Sequence, residues 1–338
     1  MIQEETILRE INILHDKSFR SDKNLEQDKT ILIADDDYNM RTALVDMVRD
    51  WGYEVLIAKN GLDVWEILLR EDAPRMMILD WIMPGMDGLE ICRRLRARQD
   101  DPYIYIILVT VQDHVEQLAE GIGAGADDYL TKPVVPEELE ARLLAGKRIL
   151  DLQAQLLSAR DALKIQATHD PLTNLWNRKG ILEIMDREVS RASRNGMPLS
   201  VVMVDVDGLK YINDTYGHHE GDKMLIEVAQ RMQENIRNYD AVGRLGGDEF
   251  LIVLPGCDTE AAVFLADRMR QRLALAQSLR PDDEMFPTTV SMGVASSSMG
   301  IGLDAQDLII AADSALLRAK QMGRDRVEVR RSAHMMVM

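Results

Sequence analysis

Between Thr30 and Lys147 the chain alternates short apolar, β-branched runs with amphipathic ones, and that alternation admits few folds. ILIADDD, YEVLIAKN, RMMILDWIMP, YIYIILVTV and DYLTKP have the character of strands, and MRTALVDMVRDW, GLDVWEILLR, LEICRRLRAR, VEQLAEGIGAG and PEELEARLLAGK that of helices. Near-continuous apolar strands parted by helices predict an α/β doubly wound parallel sheet, covered on both faces. Such sheets bind ligands beyond the carboxyl ends of their strands. Here those ends carry Asp35 and Asp36, Asp80, Thr110 and Lys132. Strand ends are also polar simply because they reach solvent, which explains any one of these positions better than their combination.

The combination resembles the response-regulator receiver domain, a flavodoxin-like fold, over residues 29–148. That resemblance implies that Asp80, in LDWIMPGMDG, is the phosphoacceptor. A carboxylate accepts a phosphoryl group only where its charge and that of the phosphate are offset together. By the receiver pattern Asp36 binds one Mg²⁺ directly, Asp35 does so through water, and the Ile82 carbonyl completes the protein ligands. Lys132, before Pro133, pairs with the phosphoryl oxygens, and the Thr110 hydroxyl hydrogen-bonds the new group. Tyr129 stands where receivers carry a rotating aromatic switch, and is equally a core tyrosine by its own pattern. A third acid, Asp37, and Val111 after Thr110 depart mildly from the family. The implied partner is a sensor histidine kinase.

Residues 136–168 hold no proline after Pro136 and no glycine except Gly146, which predicts one long helix. Ile149, Leu152, Leu156, Ala159 and Leu163 form one apolar line, and Leu143, Leu150 and Leu157 a second. A parallel coiled coil with a shiftable register and a single wide face docked on the chain's own domains are the alternatives; a length of ~45 Å favours the coiled coil. Before the first strand, residues 1–28 form a polar leader in which Ile7, Ile11 and Leu14 recur at helical spacing. A frayed segment suits it better than a docking helix. The whole chain of 338 residues, 46% apolar and 29% charged, can bury two cores, and its net charge of −17 opposes nonspecific binding to nucleic acid or anionic membranes. No apolar run approaches the ~18 residues of a membrane span, and the leader is acidic where a signal peptide is basic. The two cysteines, Cys92 and Cys257, lie far apart in apolar surroundings, as in a reduced, cytoplasmic protein.

The second half centres on Arg244 to Pro255, RLGGDEFLIVLP. Two glycines allow a sharp, positive-φ turn, and Asp248 and Glu249 open the outgoing strand. Upstream, the apolar run LSVVMVDVDGLK ends in Asp205 and Asp207, which share a strand face and belong beside Asp248 if the strands pair, an arrangement that suits magnesium and phosphate. Alone, the turn is equally an ordinary solvated hairpin. With DPLTNLWNR, DVDGLKYINDTYGHHEGD and AADSALLRAKQMGRDRV around it, the segment 169–333 resembles the GGDEF domain of diguanylate cyclases, which join two GTP into cyclic di-GMP. The element order, helix, strand, helix, hairpin, helix, strand, helix, strand, fits the α+β, mainly antiparallel, nucleotide-cyclase-like palm that the family implies.

By the same resemblance Asp205, the Val206 carbonyl and Asp248 hold two Mg²⁺ per GTP, with Glu249 assisting metal binding or hydroxyl deprotonation, or else structural. Lys210, Lys320 and Arg324 hold the β- and γ-phosphates, and Asn213 and Asp222 read guanine, whose N1–H and N2–H₂ suit an acidic acceptor. Leu209 stands where the family usually has phenylalanine. Arg237 and Asp240 form the RxxD pattern of the inhibitory product site, with Arg268 as a second arginine from a neighbouring domain; the bland alternative is a surface ion pair. One such domain binds one GTP, so the product requires a homodimer or higher oligomer. The other function class is a non-catalytic cyclic di-GMP receptor, disfavoured because every matched metal and guanine residue is present. Control through DNA lacks any helix-turn-helix or basic stretch.

Overall fold

The computed structural model describes residues 29–70, 72–98, 102–111, 120–274, 289–297 and 304–330. The leader, the first five residues of VEQLAEGIGAG and the Met-rich tail lie outside the described residues. The chain divides into two compact units, one ending at Arg160 and one beginning at Asp161.

In the first unit β1 (Thr30–Ala34), β2 (Glu54–Ala58), β3 (Met76–Asp80), β4 (Tyr105–Thr110) and β5 (Asp128–Thr131) form a parallel sheet of order β2-β1-β3-β4-β5. Alternate residues of each strand feed two cores, Leu32, Met77, Leu79 and Leu108 on one face and Ile31, Ile33, Ile78 and Ile107 on the other. The order reverses between β1 and β3, so Asp35 and Asp80 follow the two strands that flank the crevice where such sheets take ligands. Helices α1 (Tyr38–Asp50), α2 (Gly61–Leu68) and α3 (Gly88–Arg96) open on Asp37, Asn60 and Asp87, whose side chains accept from Met40 N–H, Asp63 N–H and Glu90 N–H. The third acid of the ADDD run is therefore a helix cap, which satisfies an otherwise orphaned donor.

Helix α4 runs unbroken from Pro136 to Thr168. Its two apolar lines differ in what they touch. Leu139, Leu143 and Leu150 are buried in the first unit's core beside Ile107 and Val109. Gly146 sits against the Tyr105 ring, where a methyl group would come within 2.5 Å of Cδ1. Leu152, Leu156 and Leu163 are exposed by 64, 70 and 64%. Two of the three members of the second line, Leu143 and Leu150, are thus consumed by the sheet, and the other line faces outward.

In the second unit α5 (Arg178–Asn195), β6 (Leu199–Val206), α6 (Leu209–Tyr216), α7 (His218–Glu234), β7 (Ala241–Gly246), β8 (Glu249–Pro255), α8 (Thr259–Ala274), β9 (Val290–Ser296), α9 (Ala305–Gln321) and β10 (Val327–Val329) follow in order. The sheet runs β10-β9-β6-β8-β7, antiparallel except between β9 and β10. The single helix expected after β6 is two, parted at Gly217, whose φ of 88° ends α6. On β6, Val202 and Val204 join the core beneath α7 and α8, while Val201 and Met203 face α5 and α9. Helix α9 rides directly on β9: a methyl at Gly293 would stand 2.1 Å from the Ala312 carbonyl oxygen and 2.2 Å from Leu316 N. No helix among the described residues is long and apolar enough to cross a membrane.

The division of labour along α4 is measurable. Leu143→Ala should cost about 2–5 kcal/mol in the denaturant unfolding of the first unit, as a buried Leu→Ala cavity does. Leu156→Ala, on the exposed line, should leave that transition unchanged.

Candidate functional site

Asp35, Asp36 and Asp80 each place a carboxylate oxygen within 4.8 Å of the others. Lys132, from the loop after β5, reaches both buried members, with Nζ 2.8 Å from Asp35 Oδ2 and 3.0 Å from Asp80 Oδ2. Burial pushes the Asp80 carboxyl above its ordinary value, against the Lys132 hydrogen bond, and the neighbouring Asp35 and Asp36 add to the rise. The Lys132 ammonium, despite the burial that penalises it, is held above the usual lysine value by hydrogen bonds to Asp35 and Asp80. Thr110 is buried at the end of β4, its carbonyl accepting from Lys132 N–H at 2.7 Å. Ile82, in the loop two residues past Asp80, has a 65% exposed side chain. Tyr129 is half-buried opposite Leu108, packed against the sheet core with the Arg142 guanidinium 5.9 Å over its ring.

Sequence reasoning missed Arg41. It is buried on α1 and donates from Nη1 to the carbonyls of Asp35 (2.6 Å) and Asp36 (3.3 Å), fixing the acidic loop from below. Its place in an amphipathic helix gives no hint of this, because arginine in such a pattern is normally a solvated residue.

In the second unit Asp205 on β6 stands directly opposite Glu249 on β8, which puts both side chains on one face of the sheet. The intervening turn, with Gly246 at φ 150° and Gly247 at φ 56°, sets Asp248 against the end of β6, where its carbonyl accepts Val206 N–H at 3.1 Å. The Lys320 ammonium comes down from α9 to 2.5 Å from Asp205 Oδ2. Burial drives the Asp205 carboxyl up to about 6, against the Lys320 hydrogen bond and with help from Asp248 and Asp207. Asp207 is occupied otherwise than its strand face suggested: Thr289 Oγ1 donates to it at 3.0 Å, Ser291 Oγ at 2.8 Å and Asp325 N–H at 3.2 Å.

Asn213, late on α6, lies over the start of α7. A methyl group at Gly221 would meet its Oδ1 at 1.9 Å, so the amide rests on bare backbone next to the exposed Asp222. Lys210 is exposed near the start of α6, and Leu209 is buried in the core beneath. The turn itself is clamped by Arg244. Its Nε and Nη2 donate to the Gly247 carbonyl at 3.0 and 2.7 Å, and Nη1 donates to Asp170 at 3.1 Å. Thr173 and Arg244 hold the Asp170 carboxyl below its ordinary value although burial works the other way. Both residues lie in recognisable motifs, yet only their pairing across the fold shows the clamp.

Arg237 and Asp240 do not form the surface ion pair that their spacing allows. Asp240 is buried and accepts the Arg237 backbone N–H at 2.9 Å, and burial raises its carboxyl. The Arg237 guanidinium instead donates to the Tyr239 hydroxyl at 2.8 Å. It lines a cavity of about 660 Å³ with Arg191, Met197, Tyr239 and Pro255. Arg191, on α5, was not singled out by sequence, since it is far from the RxxD segment along the chain. Arg268 is exposed on α8, 3.5 Å from the Asn235 carbonyl.

Both carboxylate clusters offer oxygen alone, the donor set that suits Mg²⁺. Lys132 offsets only one of the three carboxylate charges gathered at Asp35, Asp36 and Asp80, which leaves charge for a cation to balance. These geometries define a two-domain protein with an acidic acceptor sheet in one half and a nucleotide-cyclase-like palm in the other. Residues 31–144 match the response regulator receiver domain and residues 167–326 the diguanylate cyclase GGDEF domain. The chain belongs to the response regulators that join a receiver domain to a GGDEF domain.

Response regulator PleD of Caulobacter vibrioides (strain NA1000 / CB15N) is 31% identical over 256 residues, 75% of this chain and 56% of PleD. Diguanylate cyclase DosC of Escherichia coli (strain K12) is 41% identical over 160 residues, 47% of this chain and 34% of DosC. The chain thus spans about half the length of the first and a third of the second. Among solved structures, the coiled coil and GGDEF domain of DgcB from Caulobacter crescentus, in complex with c-di-GMP, superposes with a TM-score of 0.51 at 28% identity, covering 56% of this chain and 98% of that one.

With the Asp205 carboxyl raised to about 6, protons would compete with any Mg²⁺ held there in the range just below neutrality. Apparent Mg²⁺ affinity of the second unit should therefore weaken as pH falls from 7.5 through about 6. Without Mg²⁺ the sign for stability is opposite: the raised carboxyl is stabilising while protonated, and that contribution is lost as pH rises from about 4 through 6. Asp205→Asn should flatten both dependences, as read by Mg²⁺ titration and thermal melts across pH.

Proposed function

We propose that the chain is a phosphorylation-regulated diguanylate cyclase that converts two GTP into cyclic di-GMP and two pyrophosphates and is restrained by its product. The observation that carries this reading is the face shared by Asp205 and Glu249 at the Gly246–Gly247 turn, with Lys320 reaching Asp205 from α9. Two Mg²⁺ held by Asp205, the Val206 carbonyl and Asp248 would offset charge on the attacking 3′-oxygen and the departing pyrophosphate. Lys210, Lys320 and Arg324 bind the β- and γ-phosphates. Asn213 and Asp222, brought together over Gly221, read the guanine edge. Glu249 sits where it can take the hydroxyl proton or complete the metal set. Each domain presents one GTP, so two copies meet for the reaction, in a homodimer or a larger assembly.

The first unit supplies the control. Asp80 accepts a phosphoryl group from a sensor histidine kinase, with one Mg²⁺ at Asp35, Asp36 and the Ile82 carbonyl, and Lys132 turns from the carboxylates to the phosphoryl oxygens. Thr110 and Tyr129 register the change, and the outward line of α4, Leu152, Leu156 and Leu163, pairs with a second copy as a coiled coil. Product binds at Arg237 and Asp240, with Arg191 lining the same cavity and Arg268 contributing from a neighbouring domain.

Incubation of the purified protein with GTP and Mg²⁺, followed by nucleotide chromatography, tests the activity, and absence of cyclic di-GMP from the parent protein would sink it. Asp248→Asn should lower turnover by at least ~10²-fold with the fold intact. Asp80→Asn should keep basal turnover and lose the response to a small phosphodonor, because an amide forms no acyl phosphate. For product control, Arg237→Ala should relieve inhibition by added cyclic di-GMP while leaving uninhibited turnover unchanged.

A further inference from the structure

Three successive residues after α9, Gly323, Arg324 and Asp325, have φ of 107°, 58° and 44°. Glycine takes such values freely, whereas two consecutive side-chain-bearing residues there are costly and persist only where surrounding contacts over-determine them. Such contacts surround this turn. Asp207, its side chain 7% exposed, accepts the Asp325 N–H at 3.2 Å and is itself fixed by Thr289 Oγ1 and Ser291 Oγ. From α8, Arg270 Nη1 grips the same residue twice, at Asp325 Oδ1 (2.8 Å) and the Asp325 carbonyl (3.3 Å). Asp267 orients that arginine, 3.0 Å from its Nε and 2.9 Å from its Nη2. The Arg324 side chain leaves this turn 63% exposed, with Nε 4.0 Å from Asp207 Oδ1.

We infer that Asp207 and Arg270 are positioning residues that hold the 323–325 turn in its left-handed form and so aim Arg324 at the β- and γ-phosphates of GTP. The inference rests on the phosphate-binding reading of Arg324 given above. It also gives Asp207 a role apart from metal binding, since its two oxygens already receive two hydroxyls and a backbone N–H. Released from either grip, the turn relaxes toward right-handed backbone, and the Arg324 Cα–Cβ direction swings away from the triphosphate. Arg270 itself lies on α8 and acts only through Asp325.

The test compares affinities of the full chain for a GTP analogue inert at the α-phosphorus and for GMP, which lacks the β- and γ-phosphates. Arg270→Ala should weaken the analogue about tenfold, the loss of one charge-assisted contact, leave GMP binding and the thermal midpoint unchanged, and raise the KM for GTP more than it lowers kcat. In an Arg324→Ala background, Arg270→Ala should add nothing, because the two act as one unit. Asp207→Asn should behave like Arg270→Ala; should it fail to fold, the Arg270 cycle carries the test alone. Additive losses, or equal losses for GMP and the analogue, overturn the inference. If Arg324→Ala alone leaves analogue binding intact, the phosphate-binding reading of Arg324 fails, and the inference falls with it rather than on its own account.

Discussion

Gathering carboxylates where water is thin is the physical problem both halves of this protein solve. Each sheet ends in buried acids, Asp35 and Asp80 in one and Asp205 in the other, and like charges a few ångströms apart in a poorly solvated pocket resist ionising together. Asp80 and Asp205 both show it, raised first by burial and then by neighbouring acids. In each case one lysine from a different element, Lys132 or Lys320, lies within 3.0 Å of the carboxylate. A reach of that kind demands that strand ends, loops and one helix agree in position. Much of the rest of the fold secures that agreement: Asp37 closes α1, Arg41 ties down the acidic loop, and Arg244 pins the glycine turn to Asp170.

A charged site poised in this way responds strongly to added charge. A phosphoryl group on Asp80, as proposed, would bring negative charge to the very spot where a lysine already bridges two carboxylates, and that lysine would have to exchange partners. The same logic applies to a triphosphate arriving near Lys320.

Much of this was legible in the sequence, for a definite reason. Apolar runs fix which segments become strands, the period fixes which faces are buried, and an acid at the end of such a run is conspicuous; Asp35, Asp80 and Asp205 could be named on that basis. What stayed hidden depends on partners distant along the chain. The Arg41 guanidinium looks like any helical surface charge until its carbonyl acceptors are seen. Asp207 looks like a metal ligand because it shares a face with Asp205, yet its oxygens are taken by Thr289, Ser291 and Asp325. The two lines of leucines on α4 are indistinguishable by spacing, and only the sheet decides that Leu143 and Leu150 are spent inward. The split between α6 and α7 was likewise masked, since one glycine within a helical pattern is commonly tolerated and Gly217 ends the helix through its backbone angle alone.

Gly293 shows how far the tolerance of such a site extends from the chemistry. With Ala312 and Leu316 backbone atoms sitting where its side chain would be, α9 lies as close to β9 as two backbones allow. Even alanine there would jack the helix off the sheet, and Lys320, riding at the far end of that helix, would lose its grip on Asp205. The span of an ammonium is fixed by its four methylenes, so the gap it bridges has to be set by the packing beneath. In this palm the gauge that sets it is a hydrogen atom, buried on the strand next to the one that carries Asp205.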